Sequence, residues 1–222
     1  MNTAPAKAYK GMGMEGFVAK WYAANTRKGL AEFKALARQV ASGLPPGSRV
    51  LEAAPGPGYF AIELAKLGGY RVTGLDISET FVEIANRNAK EAGVEIDFRQ
   101  GNVSGMPFED ATFDFVFCRA AFKNFSDPAG ALQEMYRTLK TGGKGLILDL
   151  RKDAPPEAIA QAVDGMGLNP INKVLTKLAF RFMLLKRAYT EKRFREFFSR
   201  SGFRAVDIQE DLIGLEIRFE KP

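Results

Sequence analysis

Short apolar runs with the composition of buried strands alternate along this chain with longer segments of helical spacing. Such alternation predicts βαβ units, and therefore an α/β fold built on a doubly wound, mostly parallel sheet with helices on both faces. The predicted strands and helices, in chain order, are Arg49–Ala54, Tyr59–Leu67, Arg71–Ile77, Ser78–Ala92, Ile96–Gly101, Phe113–Arg119, Asp127–Leu139 and Lys144–Leu150.

Both ends of the chain depart from this alternation. After a predicted helix at Glu191–Ser201, two runs of alternating polarity, Arg204–Leu212 and Leu215–Glu220, are separated only by Ile213-Gly214. So short a break predicts a tight turn and a terminal antiparallel hairpin. Upstream of the first strand, a helical segment ending at Gly43 has four apolar residues on one face: Leu30, Phe33, Ala37 and Val40.

Composition excludes several kinds of chemistry. The 222 residues include no histidine and a single cysteine, Cys118, so we expect no His-based triad, no bound metal and no internal disulfide. The length suits one domain. Because no run resembles a secretory leader or a membrane span, we expect a cytoplasmic protein.

The first strand leads into the most informative turn, VLEAAPGPGYF. Its residues from Gly56 to Ala61 fit the pattern G-x-G-x-x-G/A, and Asp76 follows Gly56 by twenty residues at the end of the second strand. In Rossmann-like sheets such a turn lies beside the ligand, and an acid at that distance accepts hydrogen bonds from ribose hydroxyls. These features predict an adenosine-containing ligand and leave a dinucleotide open.

The prolines of this turn favour one class of ligand. A diphosphate is held by backbone N–H groups, and Pro55 and Pro57 have none. Glu52, just upstream, adds a carboxylate where two phosphates would lie. Both features suit a ligand with an ammonium and a sulfonium group, and S-adenosylmethionine is such a ligand.

Residues Arg49 to Arg151 resemble the class I S-adenosylmethionine-dependent methyltransferases, of the small bacterial type that includes the ubiquinone/menaquinone C-methyltransferases. VLEAAPGPG resembles the first motif of the family, VTGLDIS the second, GNVSGMPFEDATFDFVFCRAAFKNFSDP the adenine-side turn with the fourth strand, and EMYRTLKTGGKGLILDL the fifth. The resemblance implies a methyl donor site formed by Tyr22, Glu52, Ala53, Ala54, Gly56, Gly58, Asp76, Ile77, Asn102, Val103 and Arg119.

The resemblance also implies how the chain is organised. We expect one methyltransferase domain over residues 1–222: an N-terminal helical cap (1–48), a cofactor-binding core (49–151), a helical lid or acceptor region (152–202) and the hairpin (203–222). The reaction would be an in-line displacement that depends mainly on alignment of the donor with a small-molecule acceptor.

Three positions depart from the family pattern. Ala54 replaces a motif glycine, for which we expect a slight repositioning of the turn. Asn102 stands where an aspartate commonly meets adenine, and its side-chain oxygen can still accept a hydrogen bond. Relatives often have a His-His pair where this chain has Phe122, Lys123 and Asn124, so a histidine-dependent acceptor is not implied.

A general base, if one is used, has weak candidates in Lys123, Tyr22 and Asp149. Arg151 is a poorer candidate because arginine stays protonated. Lys123 and Arg151 are more simply interpreted as solvated loop charges, and Tyr22 as a packed residue of an N-terminal helix. Relatives place an N-terminal aromatic residue over the methionine end of the donor, which suggests Tyr22 or Tyr9.

Residues 171–195 carry eight basic residues and one acid, a net +7 in a chain whose net charge is +6. We interpret them as an amphipathic basic lid helix with a solvated face, in which Phe180, Phe182, Met183 and Leu184 would suit an apolar acceptor. Capture of an acidic or lipid-like acceptor, or peripheral contact with an anionic membrane, are sharper alternatives. Nucleic acid is not expected as a partner, because no RNA-binding module is recognisable.

Two other functions fit parts of the sequence. A nicotinamide-dependent oxidoreductase would share the glycine pattern and Asp76, but Tyr189 is followed by a lysine three residues later and not four, as a catalytic Tyr-x-x-x-Lys would require. A non-catalytic S-adenosylmethionine-binding module would account for Ala54 and for the absent histidine pair. The methyl acceptor and the oligomeric state are left open by the sequence.

Overall fold

A computed structural model describes residues 9–10 and 13–222. In this part of the chain a seven-stranded sheet has the strand order β3-β2-β1-β4-β5-β7-β6. The pairs from β3 through β5 are parallel, and β5-β7 and β7-β6 are antiparallel, so both the predicted sheet and its terminal hairpin are confirmed. The strands are β1 (Arg49–Ala53), β2 (Arg71–Asp76), β3 (Asp97–Gln100), β4 (Phe113–Arg119), β5 (Leu139–Leu150), β6 (Arg204–Glu210) and β7 (Gly214–Glu220).

Helices cover both faces of this sheet. The helices are α1 (Gly16–Thr26), α2 (Leu30–Ala41), α3 (Tyr59–Ala65), α4 (Glu79–Ala92), α5 (Pro128–Thr138), α6 (Pro156–Asp164), α7 (Pro170–Ala179), α8 (Leu185–Arg187) and α9 (Glu191–Phe198). Val50 of β1 lies in a core with α2, α3 and α4, whereas the next residue, Leu51, lies in a second core with α5 and α9. Successive side chains of a strand point to opposite faces of the sheet. Because both faces are covered by helices, the central strands are mostly apolar.

Two helix starts follow the local sequence. The Ser78 hydroxyl accepts a hydrogen bond from the Phe81 amide at the start of α4, and the Asp127 carboxylate accepts one from the Gly130 amide at the start of α5. Pro128 occupies the first turn of α5, where its missing N–H has no intrahelical partner to lose. These caps confirm the helix starts that the sequence predicts at Ser78 and Asp127.

The paired glycines Gly142-Gly143 lie within a strand and do not separate the predicted helix Asp127–Leu139 from the predicted strand Lys144–Leu150. Strand β5 begins directly after α5, with Leu139 paired to Phe113, and its register shifts before Lys144 pairs with Phe115. Gly142 has a φ of +73° and donates its N–H to the Lys221 carbonyl. The glycines therefore accommodate an irregularity within β5. Their backbone groups form hydrogen bonds with Lys221, which follows β7 and is distant in sequence.

The predicted hairpin turn at Ile213-Gly214 is displaced. Gly214 already belongs to β7, and the connection is formed by residues 211–213. The Asp211 carboxylate accepts hydrogen bonds from the amides of Ile213 (3.0 Å) and Gly214 (2.7 Å). This aspartate side chain closes the turn in place of a glycine at its centre.

The single basic helix predicted for residues 171–195 is also wrong. The helix α7 ends at Ala179, a π-helical turn spans Phe180–Leu184, and α8 ends at Arg187 before α9 begins separately. No helix in the described parts of the chain has the length and apolar character needed to cross a bilayer.

Candidate methyl donor and acceptor site

The carboxyl ends of β1, β2, β4 and β5 meet at one edge of the sheet, and the β1–α3 turn lies there. Ala54, Gly56 and Gly58 of this turn all have positive φ, at +59°, +54° and +78°. A Cβ on Gly58 would come within 2.7 Å of the Phe98 ring, whereas one on Gly56 would meet no atom within 4 Å. Gly56 thus faces open space at the sheet edge, and Ala54 adopts a backbone conformation that favours glycine.

The backbone N–H groups of this turn are already committed. The Ala54 amide donates to the Leu75 carbonyl (2.8 Å), the Gly56 amide to Asp76 (2.9 Å) and the Gly58 amide to the Pro55 carbonyl (3.0 Å). Pro55 and Pro57 have no N–H to give. The turn therefore offers no backbone donor from residue 54 to residue 58 for a diphosphate, while its glycines still permit close approach of a ligand.

Asp76 is fixed at the end of β2 with both carboxylate oxygens in use. One oxygen accepts from the Gly56 amide and the other from the Ser78 amide, each at 2.9 Å. Burial raises the pKa of Asp76 to about 6, against the lowering effect of these backbone hydrogen bonds. Because each oxygen has a second lone pair, the group can still accept one hydrogen bond from each hydroxyl of a ribose.

Glu52 lies beneath the same turn in β1. Its carboxylate accepts a hydrogen bond from the Ala61 amide in the first turn of α3 (3.0 Å). Burial raises the pKa of Glu52 to about 8, so near neutral pH much of this group is protonated. The predicted repulsion between a Glu52 carboxylate and the phosphates of a ligand is therefore reduced. The hydrogen-bonded N–H groups of the turn argue more strongly against a diphosphate.

The predicted adenine-side residues lie after β2 and β3. Ile77 directly follows Asp76 and is partly exposed, whereas Val103 is buried. Asn102 uses its side-chain oxygen to accept a hydrogen bond from the Ser104 amide (2.9 Å), which orders the turn. One lone pair of that oxygen stays available for an adenine amino group.

Helix α1 and the segment before it bring two tyrosines to this edge. The Tyr22 ring packs edge-on against Phe81, with ring centroids 5.8 Å apart. Burial raises the pKa of Tyr22, with further effects from the charges of Arg119, Asp149 and Asp76. Burial also raises the pKa of Tyr9. The charge of Arg187 lowers this pKa and the charge of Asp76 raises it. The two phenols thus lie within electrostatic range of the strand ends, although they are distant from them in sequence.

Lys123 and Asp149 form a buried ion pair. The Lys123 ammonium donates to Asp149 at 2.8 Å and to the Ala120 carbonyl, and the two side chains are 6% and 1% exposed. The Lys123 amide donates to the other carboxylate oxygen, also at 2.8 Å. The interpretation of Lys123 as a solvated loop charge is therefore wrong. Two of the three candidate bases are therefore bound to each other.

The two arginines at the strand ends are likewise paired. Arg119 forms an ion pair with Glu32 of α2, and its guanidinium lies 4.6 Å from the centre of the Phe33 ring. The Arg151 side chain, only 17% exposed, forms ion pairs with Asp153 and Glu210, so it too is not a solvated loop charge. Glu32 and Phe33 carry no sequence signal for this role, because only the packing of α2 over the sheet brings them to Arg119.

An aromatic cluster surrounds Phe122, which follows the carboxyl end of β4. Phe122, which stands where relatives have histidine, is fully buried and contacts the rings of Tyr189, Phe194 and Phe197. In the lid region Phe180 is buried, but Phe182 and Met183 are 53% and 57% exposed. The predicted apolar acceptor wall of residues 180–184 is therefore split between core and surface.

The doubly wound sheet, its reversed last strand and the adenosine-adapted turn together define a class I methyltransferase-type domain. Residues 51–147 match the family model described as a methyltransferase domain. The chain is 31% identical over 173 residues to a demethylmenaquinone methyltransferase of Lactococcus lactis, which covers 73% of this chain and 68% of that protein. The chain belongs to the S-adenosylmethionine-dependent methyltransferase family.

Other matches cover less of the relative or show the fold alone. A ubiquinone/menaquinone biosynthesis C-methyltransferase, UbiE, of Bdellovibrio bacteriovorus is 38% identical over 109 residues, 49% of this chain and 46% of that protein. The chain thus spans about half the length of this relative. A solved structure of a putative S-adenosylmethionine-dependent methyltransferase from Methanococcus maripaludis superimposes with a TM-score of 0.74 at 24% identity, over 97% of each chain.

Proposed function

We propose that this protein transfers a methyl group from S-adenosylmethionine to a small-molecule acceptor. The observation that carries the proposal is the β1–α3 turn, which faces open space at Gly56 yet has no free backbone donor for a diphosphate. Asp76 beside it retains acceptor capacity for a ribose. Residues 54–58 lack the free N–H groups that would help to hold the diphosphate of a nicotinamide dinucleotide.

The residues of the site would act mainly by binding and orientation. When bound, S-adenosylmethionine supplies a methyl group already activated on a sulfonium, so alignment of the acceptor is the protein's main task. Asp76, Ile77 and Asn102 would hold the adenosine end. Tyr22, with Tyr9 beside it, would cover the methionine end and exclude water.

None of the candidate bases suits proton abstraction near neutral pH, since burial raises the pKa of Tyr22 and keeps that phenol protonated. Lys123 and Asp149 are engaged in their own ion pair, and Arg151 in two others. We infer that the acceptor is a group reactive without deprotonation by the enzyme, or one that ionises by itself near neutral pH. The relatives named for quinone C-methylation make an electron-rich hydroxylated ring the first acceptor to test.

Calorimetric titration with S-adenosylhomocysteine and with NADH tests the donor site. We expect S-adenosylhomocysteine to bind and NADH not to bind; the reverse result would overturn the proposal. Methyl release from labelled donor is then measured over quinols, phenols, amines and thiols. If the donor product binds but no acceptor in this panel is methylated, the chain is better described as a non-catalytic binding module.

We also propose that residues 152–202 form the acceptor side of one domain over 1–222, and that α7 contacts an anionic membrane surface. In favour of that contact, Ile171, Val174 and Leu175 are 73%, 59% and 58% exposed on α7, and Lys173 and Lys177 of this helix share a single acid, Asp164, which leaves a net positive charge. Sedimentation with phosphatidylglycerol vesicles tests it, with phosphatidylcholine vesicles as the control. Substitution V174D should abolish binding, and equal sedimentation of the variant would refute the contact.

A further inference from the structure

The basic excess of residues 171–195 is distributed unevenly once ion pairs are considered. Lys173 and Lys177 both lie near Asp164, with N–O distances of 3.2 and 3.3 Å. Arg193 pairs with Glu196 and Arg195 with Glu191, each at 2.6 Å. Within the described residues, the cations of this segment that form no ion pair are Arg181, Lys186, Arg187 and Lys192.

Two of these four cations line one cavity together with basic residues from elsewhere in the chain. The cavity has a volume of about 560 Å³, and no acidic residue is among its lining residues. Its polar lining consists mainly of Lys10, Lys152, Lys186, Arg187, Tyr189 and Arg193. Lys10 and Lys152, like Lys186 and Arg187, have no ion-pair partner in the described parts of the chain.

Backbone contacts connect this cavity with the sheet edge that carries the proposed site. The Lys152 amide, just beyond the end of β5, donates to the Tyr189 carbonyl (3.1 Å), and the Lys10 amide donates to the Asn124 carbonyl (2.7 Å). The Lys10 ammonium donates to the Tyr189 hydroxyl at 2.5 Å and lies 5.0 Å from the centre of its ring. Asn124 adjoins the buried Lys123, so the cavity borders the acceptor side.

Like charges collected from three separate segments repel one another unless an anion lies between them. We propose that this cavity is a subsite for a carboxylate or phosphate group of the methyl acceptor. The inference rests on the proposed function and specifies its substrate class. Arg187 can bind such a group through its planar guanidinium donors, and the lysines through compact ammonium charges.

The test removes two cavity cations and compares the variant with a charge-matched control. The double variant K186Q/R187Q loses two lining cations, and R181Q/K192Q loses two unpaired cations that do not line the cavity. Calorimetry measures binding of phenyl phosphate and benzoate, with phenol and benzamide as neutral analogues. We expect the anions to bind wild type and control, and to bind K186Q/R187Q at least about tenfold more weakly.

The single variant K152Q, on a different segment, should weaken anion binding in the same direction. Equal binding of phenyl phosphate to K186Q/R187Q and wild type would overturn the subsite, as would an equal loss in the control or equal binding of phenol. Inorganic phosphate that binds as tightly as phenyl phosphate would also overturn it, because the site would then hold a free anion. S-Adenosylhomocysteine titrated separately reports on the donor site, so failure of the proposed function is distinguishable.

Discussion

Replacement of Lys123 by methionine should destabilise the fold through the partner it leaves behind. Asp149, 1% exposed, would keep its hydrogen bonds from the amides of Lys123 and Leu150 but lose its counter-ion. Loss of one member of a buried ion pair costs about 3–5 kcal/mol. Since two backbone donors remain, we expect the lower end, about 3 kcal/mol. For a domain of this size that lowers Tm by about 6–12 °C.

A surface pair in the same protein supplies the control for K123M. Lys140 and Asp114 are 2.7 Å apart, almost the same distance as the buried pair, but their side chains are 41% and 33% exposed. The substitution K140M should therefore change stability by less than about 1 kcal/mol. Thermal and urea unfolding, followed by circular dichroism, measure both variants.

The double variant K123M/D149N completes a mutant cycle. Because asparagine carries no charge that needs compensation, the double variant should be more stable than the sum of the single losses predicts, by about 1–3 kcal/mol. Wild-type stability of K123M would refute the reasoning, and so would a loss in K140M as large as that in K123M. Either result would mean that burial does not set the cost of separating Lys123 from Asp149.

Three further predictions concern the donor site. Substitution D76A should weaken binding of S-adenosylhomocysteine by more than about tenfold in calorimetry, whereas D97A on the exposed edge strand should leave it unchanged; an unchanged dissociation constant for D76A would remove Asp76 from the site. Because burial raises the folded-state pKa of Glu52 to about 8, above its unfolded value, its contribution to stability is complete below about pH 4.5 and is lost as pH rises to about 8. Urea unfolding of E52Q should therefore show a weaker fall in stability between pH 5 and 8 than wild type, and parallel curves would contradict the raised pKa. Substitution A54G should raise the free energy of unfolding by about 0.5–1 kcal/mol by relieving the φ of +59°, while A53G in the neighbouring strand should lower it; a less stable A54G would show that the turn is unstrained.

The sequence predicts those features whose physical cause is local. Asp127-Pro128 favours a helix start directly before a helical segment, because the cap and the fixed φ act within one turn. The spacing from Gly56 to Asp76 equally predicts that both residues lie at the same end of one βαβ unit, and the structure joins the two by a hydrogen bond of 2.9 Å. The parallel sheet follows from apolar runs that can be buried only on both faces.

Features that depend on partners distant in sequence could not be predicted and are defined only by the tertiary structure. Nothing beside Lys123 indicates that Asp149, 26 residues away, neutralises it in the core. In the sequence, residues 171–195 look uniformly basic. In the structure Asp164 pairs with Lys173 and Lys177, whereas Lys10 and Lys152 line a cavity together with Lys186 and Arg187. Sequence spacing defines which residues share a helix face or a strand end, but charge balance and burial depend on which elements the fold brings together.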